Sequence, residues 1–180
     1  LAESGFHLVK EDLSSNPYLE LREVDPEAYT LPCQKAFQDA KIASLGAAIE
    51  AGIPAIAADF SVWTERAYAR QNIARYPSAL KAMSQEVDAF YRKYGLPDLL
   101  VYVQISADEQ LRRIKERARG FEETIDLEYL RTLNRHIELE ASMVLSTGVR
   151  ALVLEAAELD SREIAAQIAT ATSLTRRQPY

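Results

Sequence analysis

The chain has 180 residues, 48% of them apolar and 27% charged, which suits one domain with a sizeable core. No apolar run approaches the roughly 20 residues of a membrane helix, and residues 1–11 lack the basic-then-apolar pattern of a signal peptide. The formal net charge of −6 argues against broad contact with a nucleic-acid polymer, and the single cysteine, Cys33, excludes an internal disulfide and fits a reducing, cytoplasmic setting.

A first strand is expected over residues 6–9. A long helix follows over 26–51, with Ala and Leu at helical spacing, and ends near Gly52. The next strand covers 53–58, and a shorter helix 62–73. Another helix, 77–94, is stopped by Gly95 with Pro97 beyond. The third strand is 99–105, followed by a helix over 107–117. Residues 127–145 carry Leu127, Leu130, Leu133, Ile137, Ala141 and Val144 on one stripe, with Asp126 as N-cap. The last strand is 151–154, and a helix over 161–173, capped by Ser161, closes the chain. The strands are almost continuously apolar, as parallel strands covered on both faces are. Strands alternating with helices predict an α/β fold, a parallel β-sheet with helices on both faces, in a single domain over 1–180. Ligands of such sheets sit at the carboxyl ends of the strands.

Three features at or near such ends carry chemistry. Glu11, in Lys10-Glu11-Asp12 after the first strand, suits a general base toward a hydroxyl; the alternative is a solvated turn. Asp59, in Asp59-Phe60-Ser61 after the second strand, suits a metal site through a bound water, or a substrate contact. Its alternative is an N-cap on the next helix. In the run 112–120, Arg113 and Arg117 share a helix face and Arg119 lies just past its end. Three forked cations suit a transferring phosphoryl group. Glu109, four residues before Arg113, permits instead a salt-laced surface face. His7, His136 and Trp63 read as structural.

The segments Phe6-His-Leu-Val-Lys-Glu11, Asn16-Pro-Tyr-Leu19, Asp25-Pro26, Pro32-Cys-Gln34, Asp59-Phe-Ser61, Pro97-Asp-Leu-Leu-Val-Tyr-Val103, Arg113-Ile-Lys-Glu-Arg117-Ala-Arg119, Ile125-Asp-Leu-Glu-Tyr-Leu130 and 156–160 run through nearly the whole chain. Their order resembles the deoxynucleoside kinase family. The resemblance implies a P-loop-kinase-like fold, ATP and Mg2+, a deoxynucleoside phosphorylated at its 5′-hydroxyl, and a homodimer. Glu11 would take the hydroxyl proton and Gln34 would pair with the nucleobase. Lys41 stands where the family has an arginine, and Glu65 where it has the aspartate that this arginine meets. Glu122 would hold the sugar 3′-hydroxyl. Arg113, Arg117 and Arg119 would clamp the phosphoryl group. Arg117, Ala156 and Asp160 would lie near ATP, and Asp59 would contact substrate and, through water, Mg2+.

The sequence also departs from the family. Phe60 replaces an arginine, removing a charge beside the substrate's 5′ end. Glu23 replaces a tyrosine, and is expected to repel Glu122 unless one of them is protonated. Glycines stand only at 5, 46, 52, 95, 120 and 148, so no G-x-x-x-x-G-K-[ST] loop is present. The resemblance implies that the central first strand and its phosphate loop, roughly 20–25 residues, precede residue 1. Without them, unpaired sheet edges and an inactive chain are expected. The departures leave two further readings open, a catalytically degenerate binding or scaffold subunit and a kinase with another small-molecule acceptor.

Overall fold

The computed structural model describes residues 5–156 and 161–175. Four strands form two parallel pairs. β1 (His7–Val9) pairs with β2 (Ile56–Ala58), with His7 opposite Ile56. β3 (Leu99–Gln104) pairs with β4 (Arg150–Glu155), with Leu99 opposite Arg150 and Gln104 opposite Glu155. Among the described residues no strand joins β2 to β3, so the expected sheet is present as two halves.

The strand ends differ from the sequence reading. Residues 53–55 precede β2 because Gly52, at φ +68°, is still completing the turn out of the long helix. The His7 N–H bonds the Ala55 carbonyl at 2.8 Å, which leads into the ladder. β4 runs one residue further at each end than expected, because its partner β3 offers hydrogen bonds over the whole length.

Helices fill the rest. α1 (Leu19–Val24) was not foreseen, since six residues hold too few apolar repeats to show a period. α2 (Pro26–Glu50) starts where Asp25 caps the Ala28 N–H at 3.0 Å and Pro26 takes the first turn. α3 (Thr64–Ile73) begins two residues later than expected; Val62 and Trp63 are instead buried core residues. α4 (Pro77–Tyr94) ends at Gly95, whose φ of +83° few other residues adopt. α5 (Ala107–Arg117) is capped by Ser106, and α6 (Leu127–Leu145) by Asp126, whose Oδ1 accepts from the Tyr129 N–H at 2.8 Å. α7 (Ser161–Thr175) packs on β4 and extends two residues past its expected end.

The main core joins Val62, Trp63, Val87, Phe90, Leu100, Ala141 and Val144, from α4, β3, α6 and the turn before α3. Full burial of each larger side chain contributes about 1.5–3 kcal/mol. Gly46 lets α2 approach α4: a Cβ there would stand 3.1 Å from the Tyr94 hydroxyl.

Candidate active site

The site starts where the β1–β2 ladder ends. The Asp59 N–H donates to the Val9 carbonyl at 3.2 Å, and Asp59 Oδ1 accepts the Glu11 N–H at 2.9 Å. The two acidic residues that follow the strands are thus fixed to each other. The capping alternative for Asp59-Phe60-Ser61 does not hold. The cap position of α3 is Trp63, which makes no side-chain cap bond, and Asp59 spends its oxygen on the neighbouring strand's exit. Asp12 caps the 3-10 turn Leu13–Ser15 through the Ser14 N–H at 3.0 Å.

Lys41 on α2 is the hub. Its ammonium lies 2.7 Å from Glu11 Oε1 and 2.5 Å from Glu65 Oε1. It also sits 5.6 and 5.7 Å from the ring centroids of Phe60 and Tyr68, within cation–π range. Glu65 Oε2 accepts from Gln34 Nε2 at 2.9 Å. Gln34 Oε1 accepts from Asn72 Nδ2 at 2.8 Å, and Asn72 Oδ1 accepts from the Tyr129 hydroxyl at 3.0 Å. Gln34 and Lys41 are seven apart on α2; Glu65 and Asn72 are seven apart on α3. Two turns of each helix therefore face one another, and α6 closes the end with Tyr129.

Burial and charge compete here. Gln34, Lys41 and Glu65 are 4%, 6% and 1% exposed. Burial pushes the Glu65 pKa above its ordinary value, more than the Lys41 charge pulls it down. At Lys41 burial works downward, but Glu65 and then Glu11 together outweigh it and raise the pKa. Burial pushes the Tyr68 hydroxyl up to about 12. A cavity of about 180 Å³ opens on this hub, lined by Glu11, Asp12, Phe37, Lys41, Ser44 and Phe60 among others. Gln34 and Glu65 do not line it.

The arginine run is held by carboxylates. Arg113 Nε bonds Glu109 Oε1 at 2.7 Å, and its Nη2 donates to the Ala156 carbonyl at 3.4 Å. Ala118 adopts the left-handed conformation, φ +48°, and ends α5. Beyond that turn Arg117 and Arg119 both reach Glu122 Oε1, at 2.8 and 3.7 Å. Arg113 thus stands apart from the other two. Glu23 pairs with Arg22 at 3.0 Å, so each carboxylate of the expected Glu23–Glu122 repulsion has an arginine beside it. Asp160, like the rest of 157–160 and residues 1–4, lies outside the described residues.

Sequence reading named Glu11, Gln34, Lys41, Asp59 and Glu65, and the structure brings all five together. It missed Asn72 and Tyr129. Their only signal was position: Asn72 stands seven residues after Glu65, on the same helical face.

Parallel βα units with acidic residues at adjoining strand ends, and an arginine-rich loop beyond, define a kinase-like α/β protein. A family model for deoxynucleoside kinase matches residues 1–173, and the chain belongs to that family. It is 29% identical over 123 residues to a deoxyguanosine kinase of Lactobacillus acidophilus, covering 63% of this chain and 52% of that one. It is 23% identical over 157 residues to a deoxyguanosine kinase of Dictyostelium discoideum, covering 84% and 55%. The chain spans about half the length of these curated relatives. A solved structure of deoxyadenosine kinase from M. mycoides with bound dCTP superposes with a TM-score of 0.74 at 21% identity, over 96% of this chain and 88% of that one, which shows the shared fold.

Proposed function

We propose that the protein transfers a phosphoryl group from ATP to the 5′-hydroxyl of a deoxynucleoside. The observation that carries this reading is the Glu11–Lys41–Glu65–Gln34 chain, which ties a carboxylate at the strand ends to a buried amide suited to a nucleobase edge. Glu11, with its side chain 34% exposed beside the cavity, accepts the hydroxyl proton. Lys41 and the Asp59 carboxylate fix its position. Arg117 and Arg119, held by Glu122 at the loop, supply cations for the transferring group, and Arg113 stabilises the loop's base against Ala156. Glu122 gains a sugar hydroxyl as it releases an arginine. Asp59 uses one oxygen for the Glu11 amide; its carboxylate would hold a water of Mg2+, which would neutralise donor-phosphate charge. Residues 1–180 contain no G-x-x-x-x-G-K-[ST] loop, so in this reading the donor phosphates are cradled by residues outside them. The reading includes a cytoplasmic homodimer formed through α2 and the helices that follow it.

The test uses the full-length protein with ATP and a panel of deoxynucleosides, following 5′-monophosphate formation. Turnover is expected, and Glu11→Gln should lower kcat by about 10²–10⁴-fold while leaving nucleoside binding. Binding without turnover in the unaltered protein would replace this reading with a binding subunit, which Phe60 at the cavity favours. Turnover confined to other alcohols would replace the acceptor.

A further inference from the structure

The five residues between β2 and α3, Asp59 to Trp63, form no helix or strand of their own. Their first end is fixed at the exit of β1. The Asp59 N–H donates to the Val9 carbonyl at 3.2 Å, and Asp59 Oδ1 accepts the Glu11 N–H at 2.9 Å. In the middle, Phe60 packs on the main core and its ring centroid lies 5.6 Å from the Lys41 ammonium. The other end winds into α3, where the Ser61 carbonyl accepts from the Thr64 N–H at 3.1 Å. An irregular segment holds one conformation only where contacts offset the entropy of its free dihedrals. Bonds to its own chain neighbours leave it room to shift as a unit.

Tyr91 on α4 supplies a contact from another helix. Its hydroxyl accepts from the Trp63 N–H at 3.3 Å and lies 3.4 Å from Ser61 Oγ. The ring is itself held edge-on against Phe90, centroids 5.3 Å apart, beside the cluster that buries Val62 and Trp63. Burial pushes the Tyr91 hydroxyl pKa up more than the Ser61 and Trp63 bonds pull it down, so the oxygen stays protonated and can both accept and donate. Tyr91 does not line the cavity at Glu11. Its reach to that carboxylate runs through the turn.

We propose that Tyr91 is a positioning residue: its hydroxyl pins the turn 59–63 and, through Asp59, the backbone of Glu11. Its bearing on catalysis rests on the function proposed above for Glu11. Two readouts on the full-length protein keep geometry and chemistry apart. Tyr91→Phe keeps the ring and deletes the hydroxyl. Amide hydrogen exchange should quicken by about threefold or more at Trp63, which loses its acceptor, and also at Glu11, whose own bond to Asp59 is untouched. The kcat for 5′-monophosphate formation should fall about three- to tenfold with nucleoside Kd nearly unchanged. In an Asp59→Ala background the same substitution should lower kcat no further. Ser61→Ala, which removes one of the two contacts, should shift exchange and kcat in the same direction by less. Faster exchange at Trp63 alone overturns the proposal, as does an equal loss of kcat in both backgrounds. An unaltered protein that binds nucleoside without turnover overturns the kinase reading, and exchange at Glu11 then decides this one.

Discussion

Lys41 is one side chain with three tasks: it neutralises Glu65, holds Glu11 and sets the direction of the Gln34 amide. A buried ion pair is costly to break from one side, because the remaining charge stays buried. Lys41→Met is therefore expected to destabilise the protein by about 3 kcal/mol in urea unfolding. The loss should depend on pH. Glu65 alone is a buried acid with a raised pKa, so the folded state keeps a proton that the unfolded state releases above about 4.5. The variant's stability should fall, relative to the unaltered protein, as pH rises from 5 toward 8 (roughly the span above the ordinary carboxylate range). A deficit that is constant across that range would contradict the account. At this scale Glu11 and Asp59 were legible as acids after strands, which is a local pattern, whereas Gln34, Lys41 and Glu65 were reached only through the family resemblance. Asn72 and Tyr129 were not, since their partners lie 38 and 57 residues away.

At the scale of elements, α5 carries two charge patterns on one helix. Glu109 bonds Arg112 at 2.5–2.6 Å and Arg113 at 2.7 Å, and Arg112 also pairs with Glu116. The salt-laced face and the arginine cluster are thus the same helix: Arg112 and Arg113 serve α5, while Arg117 and Arg119 lie at its open end. Hydrogen bonds from Arg112 and Arg113 hold the Glu109 carboxyl down at about 2. A depressed carboxylate contributes stability above its unfolded value of 4.5, and that contribution is lost as pH falls toward 2. Glu109→Gln should therefore flatten the acid-induced loss of helix by circular dichroism over that interval. The difference should shrink in high salt, because the group is at the surface. An unchanged acid profile would remove Glu109 from the account. Helix boundaries were read well because caps and stops are local: Asp126 and Gly95 act where the sequence placed them. Strand ends were read less well, since a strand's length is decided by its partner.

Across the whole molecule, α3 is clamped between α4 and α6 by a buried carboxylate. Glu140 on α6 is 0% exposed and faces Arg70 at 2.5 Å and Arg66 at 3.5 Å; Arg66 also pairs with Asp88 on α4. Neither Glu140 oxygen has an aligned hydrogen bond, so charge rather than direction holds it. Because α3 carries Glu65 and Asn72, this clamp also fixes the site. Glu140→Ala should cost about 3 kcal/mol in denaturant unfolding and weaken nucleoside binding. A variant that unfolds like the unaltered protein would show that packing alone orients α3.

The sequence by itself determined the α/β class, the longer helices and such local signals as the Asp126 cap and the Gly95 stop, because period, capping and composition act over a few residues. The tertiary structure alone decided three things. The strands form two parallel pairs. Glu23 and Glu122 each find an arginine. Gln34 accepts a hydrogen bond from Asn72, which in turn accepts one from Tyr129. Each depends on which helix or strand lies beside which, and long-range packing fixes that rather than local propensity.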